Sequence, residues 1–391
     1  MKEEELHRLL TVAAEDVRPS RPASTGWERA RRHRSRRAVA AVALAVALLT
    51  GATALALRPT GHAAPPAVPA TPSATAAPVQ RPPAEPAYRG GPLSRLTDAP
   101  AAPLSTRPVR RALALYQPVD RETWTGGEIR VLGDDGLVRS LDTVTPAATR
   151  DRGGNQAPAL KPGQLSPDGR TAVFPQTDEV IVVDLTTAQV HRFPLGGYLE
   201  LAVWVGDRVL VGGDDRTYLL DPVSGRADPV AGSIWETVAP DPAGSRQTVA
   251  ELGGVQDGLV LRERSLPDGT VRQQRKISSA GLNGSYRVDE FYGRGWQRGN
   301  RIAQAGWTST DARSGDEGVA VLDARTGAVV RLLDLGREGV VKACCEVLGW
   351  DPDGAVLLRH DAGALVRWQP ETGEFTGVTR NATGQMALAA G

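Results

Sequence analysis

Glu200 and Glu346 each stand four residues before a tryptophan, Trp204 and Trp350, and two other residues keep the same offset: Tyr292 before Trp296, and Lys161 before Leu165. Glu236 holds the corresponding place in a more divergent stretch. Side chains that recur at one offset in a repeated element project toward a shared centre. Converging carboxylates can hold a divalent cation or a cationic ligand, or raise one another's pKa. Lys161, Glu200, Glu236, Tyr292 and Glu346 are therefore the candidate ligand-binding set, and solvated strand ends are the competing reading. The tryptophans read as packing, because one such ring buries about 150–250 Å².

Other chemistry is thinner. Asp178, Asp215, Asp257, Asp316 and Asp361 form a second series, each in a short turn that hairpin geometry explains. Cys344 and Cys345 are adjacent. Outside the cytoplasm such a pair can oxidise to a vicinal disulfide, and two accidentally adjacent thiols are the alternative. No Gly-x-Ser-x-Gly elbow and no Cys-x-x-Cys pair occurs, and from residue 109 onward the only histidines, His191 and His360, are isolated. No catalytic residue, metal or cofactor is implied.

The elements that must position these residues are short apolar runs separated by two families of turn. One family is Ser166-Pro167-Asp168-Gly169 and Asp351-Pro352-Asp353-Gly354, with a looser copy at Asp241-Pro242-Ala243-Gly244. Proline presets φ at the first turn position and Asp-Gly accepts the left-handed one. The other family is Asp184-Leu185-Thr186-Thr187-Ala188, Asp221-Pro222-Val223-Ser224-Gly225, Asp323-Ala324-Arg325-Thr326-Gly327 and Gln369-Pro370-Glu371-Thr372-Gly373. The last turns of successive units, near Asp134, Asp184, Asp221, Pro267, Asp323 and Gln369, are 50, 37, 46, 56 and 46 residues apart. A repeat of that length is one small sheet that must stack on its neighbours to bury its faces. The spacing predicts an all-β fold, a β-propeller of about six four-stranded blades, over residues 109–391. The first unit lacks its innermost strand, and residues 384–390 are placed to supply it.

The Pro-Asp-Gly repeats resemble those of TolB-like and WD40-like β-propellers, although the Gly-His and Trp-Asp dipeptides of true WD40 blades are missing. The resemblance implies the fold and is nearly silent on activity. In such a propeller the stereotyped turns lie on one face. The longer loops, at 145–163, 278–295 and 336–345, lie on the other beside the central funnel, where function is expected.

Upstream the composition changes. Residues 38–57 are uncharged, nine of the twenty being Ala, and are preceded by Arg29, Arg31, Arg32, Arg34, Arg36 and Arg37. Twenty helical residues span about 30 Å, and the arginines put the N-terminus on the cytoplasmic side. The expectation is a single transmembrane helix, with a cleaved signal peptide as the alternative. Residues 1–37 read as a short basic cytoplasmic tail with one amphipathic helix over 3–17. Residues 58–108 hold 13 Pro and 12 Ala and read as a disordered stalk. Formal charges nearly cancel over the chain (46 Lys and Arg against 45 Asp and Glu), and the part beyond residue 88 is net acidic, which argues against a nucleic-acid partner.

The expected function is a membrane-tethered, extracytoplasmic propeller on the cell membrane. It would act as a binding or sensing module for an unidentified protein or small-molecule ligand, with a regulatory relay to the tail. A basic tail, one span and an outer domain resemble the layout of membrane-bound anti-sigma regulators, without their zinc-binding His/Cys signature. The rival expectations are an extracytoplasmic hydrolase or lyase using Glu200, Glu236 and Glu346, and a structural envelope scaffold.

Overall fold

Local turn chemistry forms as the residues demand. Asp221 Oδ1 accepts the Val223 N–H at 2.9 Å, and Asp323 Oδ1 accepts that of Thr326 at 2.8 Å. Gly225, Gly327 and Gly373 then close their turns at φ +75°, +76° and +79°. Ala188 occupies the same place at φ +61°, where its Cβ is strained and glycine's absence of one is an advantage. The computed structural model describes residues 77–389 other than 97–99, 121, 267, 284, 313, 337–344 and 361–362.

These turns connect a β-propeller. Five of its sheets have three to five strands. The first is built on Ala112–Pro118, Arg130–Gly133 and Val138–Ser140. The second runs from Leu201–Val205 to Ala227–Pro229 and the third from Thr248–Val255 to Val271–Lys276. The fourth runs from Arg287–Arg298 to Val329–Gly336, and the fifth from Cys345–Trp350 to Phe375–Thr379. Between the first and second, Thr171–Asp184 and Gln189–Tyr198 make a two-stranded ladder. The expectation of about six four-stranded blades is thereby corrected to five blades of three or more strands. The physical reason lies in Lys161-Pro162-Gly163-Gln164-Leu165-Ser166-Pro167. Two prolines without N–H donors bracket the segment that should be the ladder's inner strand, and it pairs by the single Leu165–Ala172 bridge.

Apolar clusters fill the seams all the way round. Leu115, Val131, Phe174 and Ile181 join the first blade to the ladder, and Val173, Val182, Ala202 and Val211 join the ladder to the second blade. Leu210 meets Val249 and Leu266, while Leu252 and Leu261 meet Ile302 and Leu332. Val319 and Val321 meet Val356 and Trp368, and Leu348 and Leu365 meet Tyr116, Leu132 and Met386 of the first blade. The expected role of the tryptophans is explicit in the seam between the fourth and fifth blades. Trp296 Nε1 donates to the Val347 carbonyl at 2.7 Å, and Trp350 Nε1 returns a bond to the Trp296 carbonyl at 2.8 Å.

The chain end closes the ring. Gly384–Leu388 pairs antiparallel with Ala112–Pro118, Gly384 opposite Pro118 and Leu388 opposite Ala114, as the missing inner strand required. A second closure comes from residues 77–108, which were expected to belong to the stalk. Val79–Gln80, Ala87–Tyr88 and Ala101–Pro103 add parallel outer strands to the fourth, fifth and first blades in turn. Prolines suit such edge positions, where no inward N–H is needed. What turns a Pro/Ala-rich segment into a strap is its apolar and amide anchors. Leu96 and Leu104 are fully buried. Gln80 Oε1 accepts the Trp368 indole N–H at 2.6 Å, while its Nε2 donates to the Pro370 carbonyl at 2.7 Å.

Among the described residues no helix is long and apolar enough to cross a membrane. The expected tail (1–37), span (38–57) and first part of the stalk (58–76) lie outside the described residues.

Two stability measurements check this account. Ala188→Gly should raise the unfolding free energy by about 0.5–1 kcal/mol in urea, by removing left-handed strain. Gln80→Ala should lower it by about 1–3 kcal/mol, because the Trp368 N–H is left buried without an acceptor. The cost of Trp368→Phe should then be smaller in the Gln80→Ala background than in the native chain.

Candidate functional site

Lys161 and Glu200 meet. Lys161 Nζ lies 3.4 Å from Glu200 Oε2 and donates to Thr149 Oγ1 at 2.6 Å. Their side chains are only 13% and 4% exposed, so the pair is taken almost wholly out of water. Two glutamines hold the Pro-rich segment that carries Lys161. Gln164 Oε1 accepts the Lys161 N–H at 3.0 Å, its Nε2 donates to the Ala159 carbonyl at 3.0 Å, and Gln117 Oε1 accepts the Leu160 N–H at 2.9 Å. Side-chain amides thus replace the ladder bonds that the prolines forfeit. Glu200 is fixed from the other side, its N–H donating to the Gly212 carbonyl at 2.8 Å.

Burial dominates the electrostatics of this pair. Desolvation lifts the Glu200 carboxyl above its ordinary range, with the Lys161 ammonium pulling the other way. Desolvation likewise lowers Lys161, against the attraction of Glu200. Glu200 Oε1 is buried and accepts no hydrogen bond among the described residues.

A third charge, Arg294, was not in the expected set. It lies in a bulge of Arg287–Arg298, where the register slips between Tyr292 and Trp296. Bulges re-aim side chains. Gly293 turns the chain at φ +65°. Gln304 Nε2 pins the Gly293 carbonyl at 3.0 Å, and the Gly295 carbonyl accepts the Ala239 N–H at 2.8 Å from the neighbouring blade. Arg294 is 8% exposed, its Nη1 is buried without a hydrogen-bond partner, and it forms no ion pair among the described residues. Desolvation brings its pKa down to about 10, with Glu346 acting in the opposite direction. It stands beside the Lys161 segment, since a Cβ on Gly163 would sit 3.6 Å from Arg294 Nε and 2.6 Å from the Ala202 carbonyl. The sequence signal for this residue was the Gly-Arg-Gly triplet next to Trp296, which strand alternation alone does not distinguish from a turn.

The remaining expected residues have local partners. Glu236 pairs with Arg262 at 3.3 Å and Glu346 with Arg359 at 2.8 Å. The Tyr292 ring packs tilted against Trp307, with centroids 5.6 Å apart. Each glutamate is thus matched to a cation of its own, and among the described residues no three His, Cys, Asp or Glu are grouped to hold a metal ion. Asp178 serves its hairpin, accepting the Gly197 N–H at 2.8 Å. Cys345 is buried at the start of Cys345–Trp350, while Cys344 and Asp361 lie outside the described residues.

A separate cavity of about 430 Å³ opens at the stereotyped turns of the third, fourth and fifth blades, lined by Asp241, Arg298, Arg301, Trp350 and Glu371 among others. Its charges are occupied. Arg298 donates to the Asp351 and Pro352 carbonyls, and Glu371 is bridged by Arg331 at 3.0 Å.

No family model matches the chain, and no curated protein matches it. Solved propellers are similar in fold at low identity. A structure of TolB from Acinetobacter baumannii is 15% identical with a TM-score of 0.49, over 71% of this chain and 66% of that one. A chain of the mitotic checkpoint complex is 16% identical with a TM-score of 0.41, over 72% of this chain and 85% of that one. The calcium-binding protein regucalcin from Agrobacterium tumefaciens is 13% identical with a TM-score of 0.34, over 61% of this chain and 76% of that one.

The buried pair gives a measurable consequence. Lys161→Met strands Glu200 and should cost about 3 kcal/mol at neutral pH, and adding Glu200→Gln should recover most of that loss. The pH dependence follows from the raised Glu200 pKa. Between the ordinary value of 4.5 and the higher folded value, the native state keeps a proton that the unfolded chain has released. The stability this group contributes is full below that window and falls as pH rises through it. Urea titrations of Glu200→Gln should show that falling limb flattened.

Proposed function

We propose that this chain is a membrane-tethered, extracytoplasmic β-propeller that binds or senses a ligand at its funnel, with the basic tail of residues 1–37 as the element that relays occupancy across the membrane. The observation that carries the binding reading is local. Buried polar groups in folded proteins are paired in the great majority of cases. Here Arg294 Nη1 and Glu200 Oε1 are both buried without a hydrogen-bond partner among the described residues, and both groups act on the charge of Lys161. Other buried polar atoms, such as Trp204 Nε1 and Gln304 Oε1, also lack a partner among the described residues, but Arg294 and Glu200 are the charged pair around Lys161, and a molecule offering them an acceptor and a donor would complete both.

The tether rests on the uncharged run of residues 38–57 and the arginines before it. The strap over residues 77–108 adds support, because it fastens the segment that follows the span directly onto three blades. A pull on the N-terminal segment would therefore be felt by the fourth, fifth and first blades. The hydrolase and scaffold readings gain nothing comparable, since each candidate glutamate is held by its own lysine or arginine.

Fractionation and protease accessibility test the proposal. The full chain should sediment with membranes and resist extraction by carbonate, and deleting residues 38–57 should release it. Protease added to intact spheroplasts should digest the propeller and leave a short protected fragment containing residues 1–37. A propeller protected in intact spheroplasts, or a full chain that stays in the soluble fraction, would sink the tethered reading.

A further inference from the structure

We infer that the Gly293-Arg294-Gly295 bulge is a built anion site, taking the carboxylate or phosphate of a small ligand whose adjoining N–H or O–H donor is accepted by Glu200. The inference rests on the reading of the funnel as a binding site and specifies what binds there.

Several features hold the guanidinium where it is. Positive φ at Gly293 sets the bulge, and Gly295 leaves no room for a side chain, since a Cβ there would meet Gln304 Oε1 at 2.7 Å and Val238 Cγ2 at 3.0 Å. The backbone on either side is tied down, by Gln304 Nε2 on the Gly293 carbonyl and by the reciprocal bonds of Ala239 with Gly295 and Gln297. Beside Arg294, Gly163 packs tightly on the second blade, where a Cβ would press on the Ala202 carbonyl at 2.6 Å. A rigid backbone thus holds a cation that no described residue neutralises directly. Arginine is suited to this task, as its planar fork grips carboxylate or phosphate through two parallel bonds and stays charged when buried.

The charges around it are polarised. The carboxylate acting on Arg294 is that of Glu346, and Glu346 is already paired with Arg359. At the other end Asp151 and Asp214 act on the Lys161–Glu200 pair and favour positive charge there. An anion therefore fits at Arg294 and a donor fits at Glu200 Oε1. A bare anion satisfies half of this arrangement. A molecule with a carboxylate beside an amine, amide or hydroxyl satisfies all of it. Leaving a buried charge unpaired destabilises the free protein, and a bound anion relieves it.

The test uses the full chain in detergent and thermal unfolding in sodium acetate, sodium phosphate, glycine and methylammonium chloride, each against sodium chloride at matched ionic strength. Acetate and phosphate should raise the unfolding temperature above the chloride control, and glycine should act at lower concentration than acetate. Comparison of acetate with phosphate distinguishes a carboxylate ligand from a phosphate one. In Arg294→Gln the affinity for all three should fall at least about tenfold. That variant, free of ligand, should melt at or above the native temperature, because a stranded charge has been removed. Glu200→Gln should abolish the advantage of glycine and leave the response to acetate. The inference fails if the native chain shows no anion-specific shift, or if Arg294→Gln melts lower than the native protein while responding to anions normally. A shift with methylammonium alone, lost in Glu200→Gln, would overturn the anion site and leave the funnel standing as a binding site.

Discussion

The pairing of the last strand with the first blade is the contact on which the rest depends. Gly384–Leu388 and Ala112–Pro118 are far apart in the chain and hydrogen-bond along their full overlap. Each sheet is too small to bury both faces, so every seam needs two neighbours, and the seam between the fifth and first blades exists only once the ends have met. Met386 and Leu388 contribute to that seam directly, alongside Leu348, Leu365 and Leu132. The strap of residues 77–108 crosses the same region from outside, with Leu96 fully buried among those side chains. Two independent segments thus oppose opening at one place. The closure joins residues far apart in sequence, a contact of high contact order whose loop-closure entropy must be met before it forms.

The funnel is a by-product of that ring. Strands that lean on one another around an axis bring their inner edges within reach, and residues from different blades then share a site. Lys161 comes from the Pro-rich segment before the ladder, Glu200 from the entry to the second blade and Arg294 from a bulge in the fourth. Their unusual energetics come from the same source. Inner edges are dry, so desolvation outweighs pairing for Lys161 and Glu200 and lowers Arg294 to about 10. Stability is given up at these three residues and recovered in the apolar seams around them.

Much of the fold was legible in the residues. Turn chemistry marked the hairpins, because proline, aspartate and glycine impose backbone angles locally and independently of the rest of the chain. The role of residues 384–390 followed from counting strands in the first unit. The two-stranded ladder was less legible. Pro162 and Pro167 do forbid a long inner strand, yet their effect depends on which partner that strand would have had. The strap was hidden for a different reason. Its composition is that of a disordered linker, and what orders it is the meeting of Gln80 with Trp368, 288 positions away. Of the candidate site, Lys161 and Glu200 could be named from a shared offset in the repeat, whereas Glu236 and Glu346 shared the offset and found arginines instead. Arg294 breaks the offset altogether, since its bulge sets Gly293, Arg294 and Gly295 opposite Gln304 alone and removes the regularity that repeat alignment relies on.

Sequence by itself determined the local grammar of this protein: turns at Pro-Asp-Gly and Asp-x-x-Thr-Gly, strands of alternating or wholly apolar residues, and a repeat too short to stand alone. Those features are set by φ preferences and side-chain hydrogen bonds within a few residues. Tertiary structure decided which charges meet, which carboxylates are neutralised and which polar atoms are left open. Those outcomes depend on distance and desolvation between residues of different blades, quantities that come into being only when the ring has closed.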